Sequence, residues 1–376
     1  MIEVNVETGT GLRLTCERDE LVRQLSVVSR ALSMRSTVQI LSGILLESSG
    51  ERLALAATDM ELSLQSSLEA SVEESGKVVI PGRLLVDLAR LLPNDQVAIA
   101  YRPEEGVVEV TCGPAHYRLH TYGSEDFPRL PDPGSAALFT IDRPALVETA
   151  VKVSRSASRD ESRPVLTGIL VRFEPGKVVM AATDSYRLSV KETPLEGDAP
   201  ELEAIVPARA LGELARIAHG DGELQLGVHE NQVVFTVDGT VLTTRRIDGQ
   251  FPNYSQLLPE SFEHELTIAR DELLEVVRRT AVMSQRNSPL RLRFAEGELT
   301  VSAQTQDLGE AHESMPVPFS GEPLEIGFNP DFLREGIESI EGDELRLKLI
   351  SPLRPGLIQA AGDDFWYLIM PIRLPD

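Results

Sequence analysis

Two periodicities alternate along the first third of the chain. After the short alternating stretch LRLT (12–15), the segment ERDELVRQLSVVSRAL spaces Leu21, Leu25, Val28 and Leu32 at helical intervals with polar residues between them, which predicts an amphipathic helix. The segments ILSGILLES, RLALAAT, ELSLQSSLEA and KVVIPG are short and alternate or run apolar, as strands do. PGRLLVDLARLL predicts a second helix with Leu84, Leu85, Leu88 and Leu91 on one face, opened by a proline and closed by PND. QVAIAY, VVEVT and YRLHTY predict three more strands. Helix then strands, twice over, makes an α+β module of two helices on antiparallel sheet, because alternating strands leave one sheet face wet.

That module is written more than once. AATD occurs at 56–59 and again at 181–184, and its surroundings repeat in step at an offset of 125: Leu21-Val22 with Leu146-Val147, Ser29-Arg30 with Ser154-Arg155, SGIL (42–45) with TGIL (167–170). Past the quartet the second copy is expected to carry one extra residue, aligning Leu62-Ser63-Leu64 with Leu188-Ser189-Val190. The 126 offset then persists through Ile80-Pro81-Gly82-Arg83 with Val206-Pro207-Ala208-Arg209, and Phe127-Pro128 with Phe251-Pro252 closes the copies. A fainter third copy begins at ARDELLEVVRRTAVMSQ (269–285), with GELTVSAQTQD (297–307) where the AATD strand stood and LEIGFNPDFLREGIESI (324–340) after it. Three modules follow, 1–135, 136–259 and 260–376, with Pro-rich joints at 126–137 and 249–263. A period of this length is domain-sized.

Charge changes the picture in one respect. The chain of 376 residues holds 36 basic and 59 acidic residues, net −23, which by itself argues against a polyanion partner. Yet cations recur on the polar faces of the predicted helices: Arg23, Arg30, Arg83 and Arg90; Lys152, Arg155, Arg209 and Arg216; Arg278, Arg279 and Arg334. Arg30 matches Arg155, Arg83 matches Arg209 and Arg90 matches Arg216, so a basic stripe repeats with the module. An ordinary solvated face with scattered ion pairs is the other reading of the same residues.

Chemistry is harder to find. No glycine-rich phosphate loop, dinucleotide turn or Gly-x-Ser-x-Gly elbow is written, so no catalytic residue, cofactor or metal is expected. His116, His120, His219, His229, His264 and His312 are scattered, and Cys16 and Cys112 have no histidines at metal spacing. Asp59 and Asp184 read as turn residues capping backbone amides. No apolar run would span a bilayer and MIEVNVETGT has no signal pattern, so a cytoplasmic protein with reduced thiols is expected.

Several stretches together carry a resemblance: VLTGILV…MAATDSYRLSV (165–190), DGQFPNYSQLLP (248–259) and the C-terminal YLIMPIRL (367–374). Over its whole length the chain resembles the bacterial sliding clamps, the beta subunits of the replicative DNA polymerase III. The resemblance implies a head-to-tail homodimer, six modules in a ring, with helices lining a hole that duplex DNA threads without sequence reading. DNA contacts would fall on the helix cations and, in the loops after each first helix, on Arg35, Arg159 and Arg163. The ring joint maps to Tyr117 and Leu119 in module one and Val282 and Met283 in module three, with YRLHTY and GELTVSA as pairing edge strands. A groove between modules two and three would take short Leu/Phe-bearing peptides of the replicative polymerase, the clamp loader and other proteins. Its wall maps to Leu166, Thr183, Ser185, Tyr186, Arg187, Leu188, Pro252, Leu257, Leu368, Met370, Pro371, Ile372 and Arg373. Ser185-Tyr186 stand where the family often has Gly-His, and Gln256 where arginine is common, so peptide preference is open. For Met370, plain core is the competing reading. A repeat scaffold binding proteins only, or an enzyme with a site in the cleft between modules two and three, are the alternative functions.

Overall fold

The structure is a computed structural model and describes residues 11–33, 37–93, 95–130, 138–195, 202–229, 231–284, 288–305, 309–360, 362 and 364–374. Among them are six α-helices, two per sequence repeat: α1 (Arg18–Val28), α2 (Gly82–Leu91), α3 (Arg143–Ser154), α4 (Ala208–Ile217), α5 (Arg270–Ala281) and α6 (Pro330–Glu338). Asp19 and Glu20 open α1 and Asp271 and Glu272 open α5, where negative charge complements the exposed amides, and Arg278 and Arg279 close α5. At α6, Asn329 Oδ1 accepts from the amides of Asp331 and Phe332, and Pro330 sets the first turn.

The chain divides into two compact units, Met1–Arg143 with Glu213–Arg246, and Pro144–Gly212 with Ile247–Asp376. All strand pairs in both are antiparallel. The first unit has a five-stranded sheet (Ser71–Glu74, Leu12–Glu17, Gln96–Arg102, Val107–Cys112, Ala115–His120). Its eight-stranded sheet runs Leu138–Asp142, Glu223–Val228, Gln232–Val237, Thr240–Arg245, Leu62–Glu69, Arg52–Thr58, Gly43–Ser49, Lys77–Pro81. The second unit's eight-stranded sheet runs Leu202–Pro207, Gly168–Glu174, Lys177–Thr183, Arg187–Pro194, Phe365–Ile369, Gly356–Ala360, Glu344–Leu349, His264–Ala269. Its four-stranded sheet is Gly309–Pro316, Glu298–Thr305, Leu290–Ala295, Leu324–Phe328. The middle repeat is thus shared between the units, because its strands extend a sheet of each neighbouring repeat.

Three expectations need correcting. The register pairs Thr58 with Ser63 and Thr183 with Leu188, so the two AATD turns superpose at an offset of 125 and the extra residue of the second copy enters later. In α2 the buried residues are Gly82, Leu85, Val86 and Ala89, while Leu84 and Leu91 are exposed. The packed side follows Gly82, where an added Cβ would sit 2.7 Å from Leu32 Cδ1. In contrast Leu21, Leu25, Val28 and Leu32 are all buried as expected, each contributing on the order of 2 kcal/mol. Lastly, GELTVSA is no edge: Glu298–Thr305 is bonded on both sides, and the edge strand of that sheet is Gly309–Pro316.

Candidate partner groove and basic face

The groove candidates gather in the second unit around one turn. Thr183 Oγ1 donates to the Arg187 carbonyl (2.7 Å) and accepts from the Ser185 amide (3.1 Å), while Asp184 Oδ1 accepts from the amides of Tyr186 and Arg187 (2.9 and 3.1 Å). Ser185 takes a left-handed φ of +81°, where glycine would be unstrained. Leu188 and Leu368 are register partners, and the Met370 amide donates to the Tyr186 carbonyl at 2.9 Å. The chain then runs on so that the Ile372 amide meets the Gly327 carbonyl at 2.8 Å. Beneath lie buried Leu170, Val179, Leu188, Ile205, Phe251, Leu357 and Leu368, with Val165, Tyr254 and Leu258 packed against them. Tyr186 stays 61% exposed and Leu257 37% exposed, Pro252 and Arg373 are exposed, and Leu166, Met370, Pro371 and Ile372 are half-buried. The expected wall therefore sorts into a buried floor and an accessible rim.

Arg187 belongs to the floor. Its Nε donates to Asp184 Oδ2 (3.0 Å), its Nη1 bonds the Glu335 carboxylate and lies 3.4 Å from Tyr367 Oη, and its guanidinium stacks 4.3 Å over Phe332. Burial works against the charge, but Tyr367 and Glu335 outweigh it and hold the Arg187 pKa above its ordinary value. The Tyr367 hydroxyl donates to the Phe332 carbonyl at 2.8 Å, and burial raises its pKa, keeping it neutral. Glu335, Phe332 and Tyr367 were not among the sequence candidates; no local signal links Arg187 to a carboxylate 148 residues away.

The expected DNA cations divide as well. Arg23 pairs with Glu20; Arg30 (3.2 Å) and Arg216 (2.5 Å) share Glu213; Arg90 lies 3.4 Å from Ser26 Oγ. In the second unit, Glu338 is held by Arg155 (3.8 Å), Arg278 (3.0 Å) and Arg334 (4.0 Å), and Arg279 lies 3.1 Å from Glu313. Arg83, Arg159 and Arg209 are exposed. Arg35 lies outside the described residues. Lys152 leaves the exposed stripe: it is buried between Glu148 (2.8 Å) and Glu341 (3.1 Å), its ammonium 5.9 Å over the Phe365 ring. Arg163 reaches the groove turn, with Nη1 3.3 Å from Ser185 Oγ. Exposed ion pairs of this kind are worth about 0–1 kcal/mol, so a phosphate can displace them.

At the expected joint, Tyr117 is 40% exposed on the edge strand Ala115–His120, while Leu119 points into the core. Val282, just past α5, is 75% exposed, and the Met283 carbonyl accepts from Thr305 Oγ1 at 3.2 Å. Among the described residues no group of His, Cys, Asp and Glu could hold a metal ion, and no helix is long and apolar enough to cross a membrane.

Family models for the N-terminal, central and C-terminal domains of the DNA polymerase III beta subunit match residues 12–131, 140–253 and 255–373. The chain belongs to this family. Two curated relatives, the beta sliding clamps of Streptomyces coelicolor and Synechococcus elongatus, are each 33% identical, the alignments covering 96% of this chain and 100% of theirs. A solved sliding clamp of Pseudomonas aeruginosa, bound to griselimycin, is 29% identical with a TM-score of 0.90, covering 97% of this chain and 100% of that one. The fold is thus the three-domain sliding-clamp fold, and the role is that of a DNA sliding clamp in replication.

Proposed function

We propose that two copies close head to tail around duplex DNA and that the groove at Thr183–Leu188 tethers the replicative polymerase, the clamp loader and other partners through short Leu/Phe-bearing peptides. The observation that carries the ring is a pair of open sheet edges, Ala115–His120 in the first unit and Gly309–Pro316 in the second, next to exposed Tyr117 and Val282. Such edges leave unpaired amides and carbonyls that a second copy can satisfy. The basic face supports a sliding rather than a gripping role, since most of its arginines are already ion-paired and the protein carries net −23. The role is a tether without catalysis, exercised in the cytoplasm.

Retention on DNA tests the ring. Contact-bound protein loses affinity with a slope of about −0.9 per phosphate contact, so moderate salt strips it. A closed ring escapes only by opening or by sliding off an end. Loaded protein is expected to persist on nicked circular DNA in moderate salt and to leave quickly once the circle is cut. Equal dissociation from circular and linear DNA would overturn encirclement.

A further inference from the structure

The first unit rebuilds the groove scaffold in its own copy of the AATD turn. The Met60 amide donates to Thr58 Oγ1 (3.0 Å), Asp59 Oδ1 accepts from the Glu61 and Leu62 amides (3.0 and 2.8 Å), and Thr58 Oγ1 donates to the Leu62 carbonyl (3.0 Å). These repeat the bonds of Ser185, Tyr186, Arg187 and Thr183 one for one. The strand Thr240–Arg245 closes this turn as Phe365–Ile369 closes the other: the Arg245 amide meets the Glu61 carbonyl at 3.0 Å, as the Met370 amide meets that of Tyr186. The flanking loop also matches, since Ser33 donates to the Leu41 carbonyl (3.0 Å) as Ser158 does to that of Leu166 (2.8 Å). Phe127, like Phe251, is buried in the adjoining apolar cluster.

The chemistry on this scaffold is different. Met60 takes φ +78° and is 58% exposed, so a methionine is displayed where a glycine would be unstrained. Val38, 53% exposed, stands at the position of Arg163, which in the second unit touches the residue equivalent to Met60. Arg245 and Arg246 replace Met370 and Pro371, and among the described residues neither guanidinium makes an ion pair, in a chain whose helix arginines are mostly paired. Glu61 is the one carboxylate exposed on the turn. A soft apolar side chain on a turn whose Glu61 carbonyl is bonded by the Arg245 amide, with Arg246 next in the chain, fits an apolar residue flanked by carboxylates.

We propose that the turn Thr58–Leu62 with Arg245 and Arg246 is a second docking site, taking a short acidic peptide that carries one or two apolar side chains. It rests on the reading of the Thr183–Leu188 groove as a peptide site, whose scaffold it shares.

The seven methionines allow both sites to be watched at once. Full-length protein with 13C-labelled methionine methyls is titrated with two synthetic peptides, Leu-Phe flanked by aspartates and Leu-Phe flanked by serines, with Met60→Leu and Met370→Leu assigning the signals. The acidic peptide is expected to shift the Met60 methyl, with affinity about tenfold weaker in the Arg245→Glu/Arg246→Glu variant, while the serine peptide shifts mainly Met370. The other methyls of that variant report that it folds. A Met60 methyl that stays still while Met370 moves, or a Met60 shift indifferent to the charge reversal, overturns the second site alone. A silent Met370 overturns the groove reading, and silence at both overturns both.

Discussion

Arg187 shows what a buried charge does when every face of it is matched. Asp184, Glu335, Tyr367 and the Phe332 ring surround it, and removing it strands two carboxylates against an apolar floor. Arg187→Met is expected to cost about 3 kcal/mol in urea unfolding, and Glu335→Gln distinctly less, because a neutral amide still accepts a hydrogen bond. The cluster of Lys152, Glu148, Glu341 and Lys191 gives a second test. Burial alone would raise the Glu148 pKa, but Lys152 and Lys191 outweigh it and lower it. Glu148 therefore adds stability above the ordinary carboxylate range, lost as pH falls through its lowered value. For Lys152 burial acts to lower the pKa, yet Glu148 and Glu341 raise it, so its contribution is complete at neutral pH and lost only in strong alkali. Urea midpoints are expected to fall as the pH drops through and below the ordinary carboxylate range, and less steeply in Lys152→Met. The sequence named Arg187 and Lys152 as functional cations, but exposure and partners decide what a cation does, and both lie with residues far along the chain.

Among elements, the best-read were those whose pattern admits one solution. Leu21, Leu25 and Val28 give α1 a single apolar stripe that Leu32, just past the turn that ends the helix, continues, and all four are buried. The leucine run of α2 allows two stripes, and periodicity alone cannot choose between them; the close approach at Gly82 does. GELTVSA reads equally well as an inner or an edge strand, because alternation reports the faces of a sheet and is silent on its edges. The repeated AATD located both turns, while their different side chains had to be read from bonds. At the C-terminus, a Cβ on Gly327 would sit 2.8 Å from the Ile372 carbonyl, a backbone atom that cannot swing aside. Gly327→Ala should displace the Met370–Leu374 segment and weaken capture of a Leu/Phe peptide by about tenfold in calorimetry, or ~1.4 kcal/mol. Deleting residues from Met370 onward should abolish capture and leave dimerisation intact. Undiminished binding by the truncated protein would place the peptide elsewhere.

For the whole molecule, assembly is the first quantity to measure. Val282→Asp/Met283→Asp puts unpaired carboxylates at the expected joint, where burial costs more than association returns. Sedimentation should show monomer, and an unaltered dimer would mean the joint lies away from these residues. Three repeats were legible because duplicated helices keep their spacing. That strands of one repeat complete the sheet of another was not, since pairing across repeats leaves no periodic mark. This sharing also bears on descent. Leu242 lies beside Leu64 on neighbouring strands in one eight-stranded sheet, and Leu188 beside Leu368 in the other. A recombination break at one repeat boundary sets strands from two parents edge to edge in one of these sheets, whereas a break inside α4 does so in both at once, each strand having drifted to suit a different neighbour. Lineages exchanging parts of this gene should then tolerate a single break at either joint between repeats better than one inside α4, where the chain passes between units at Gly212 and Glu213.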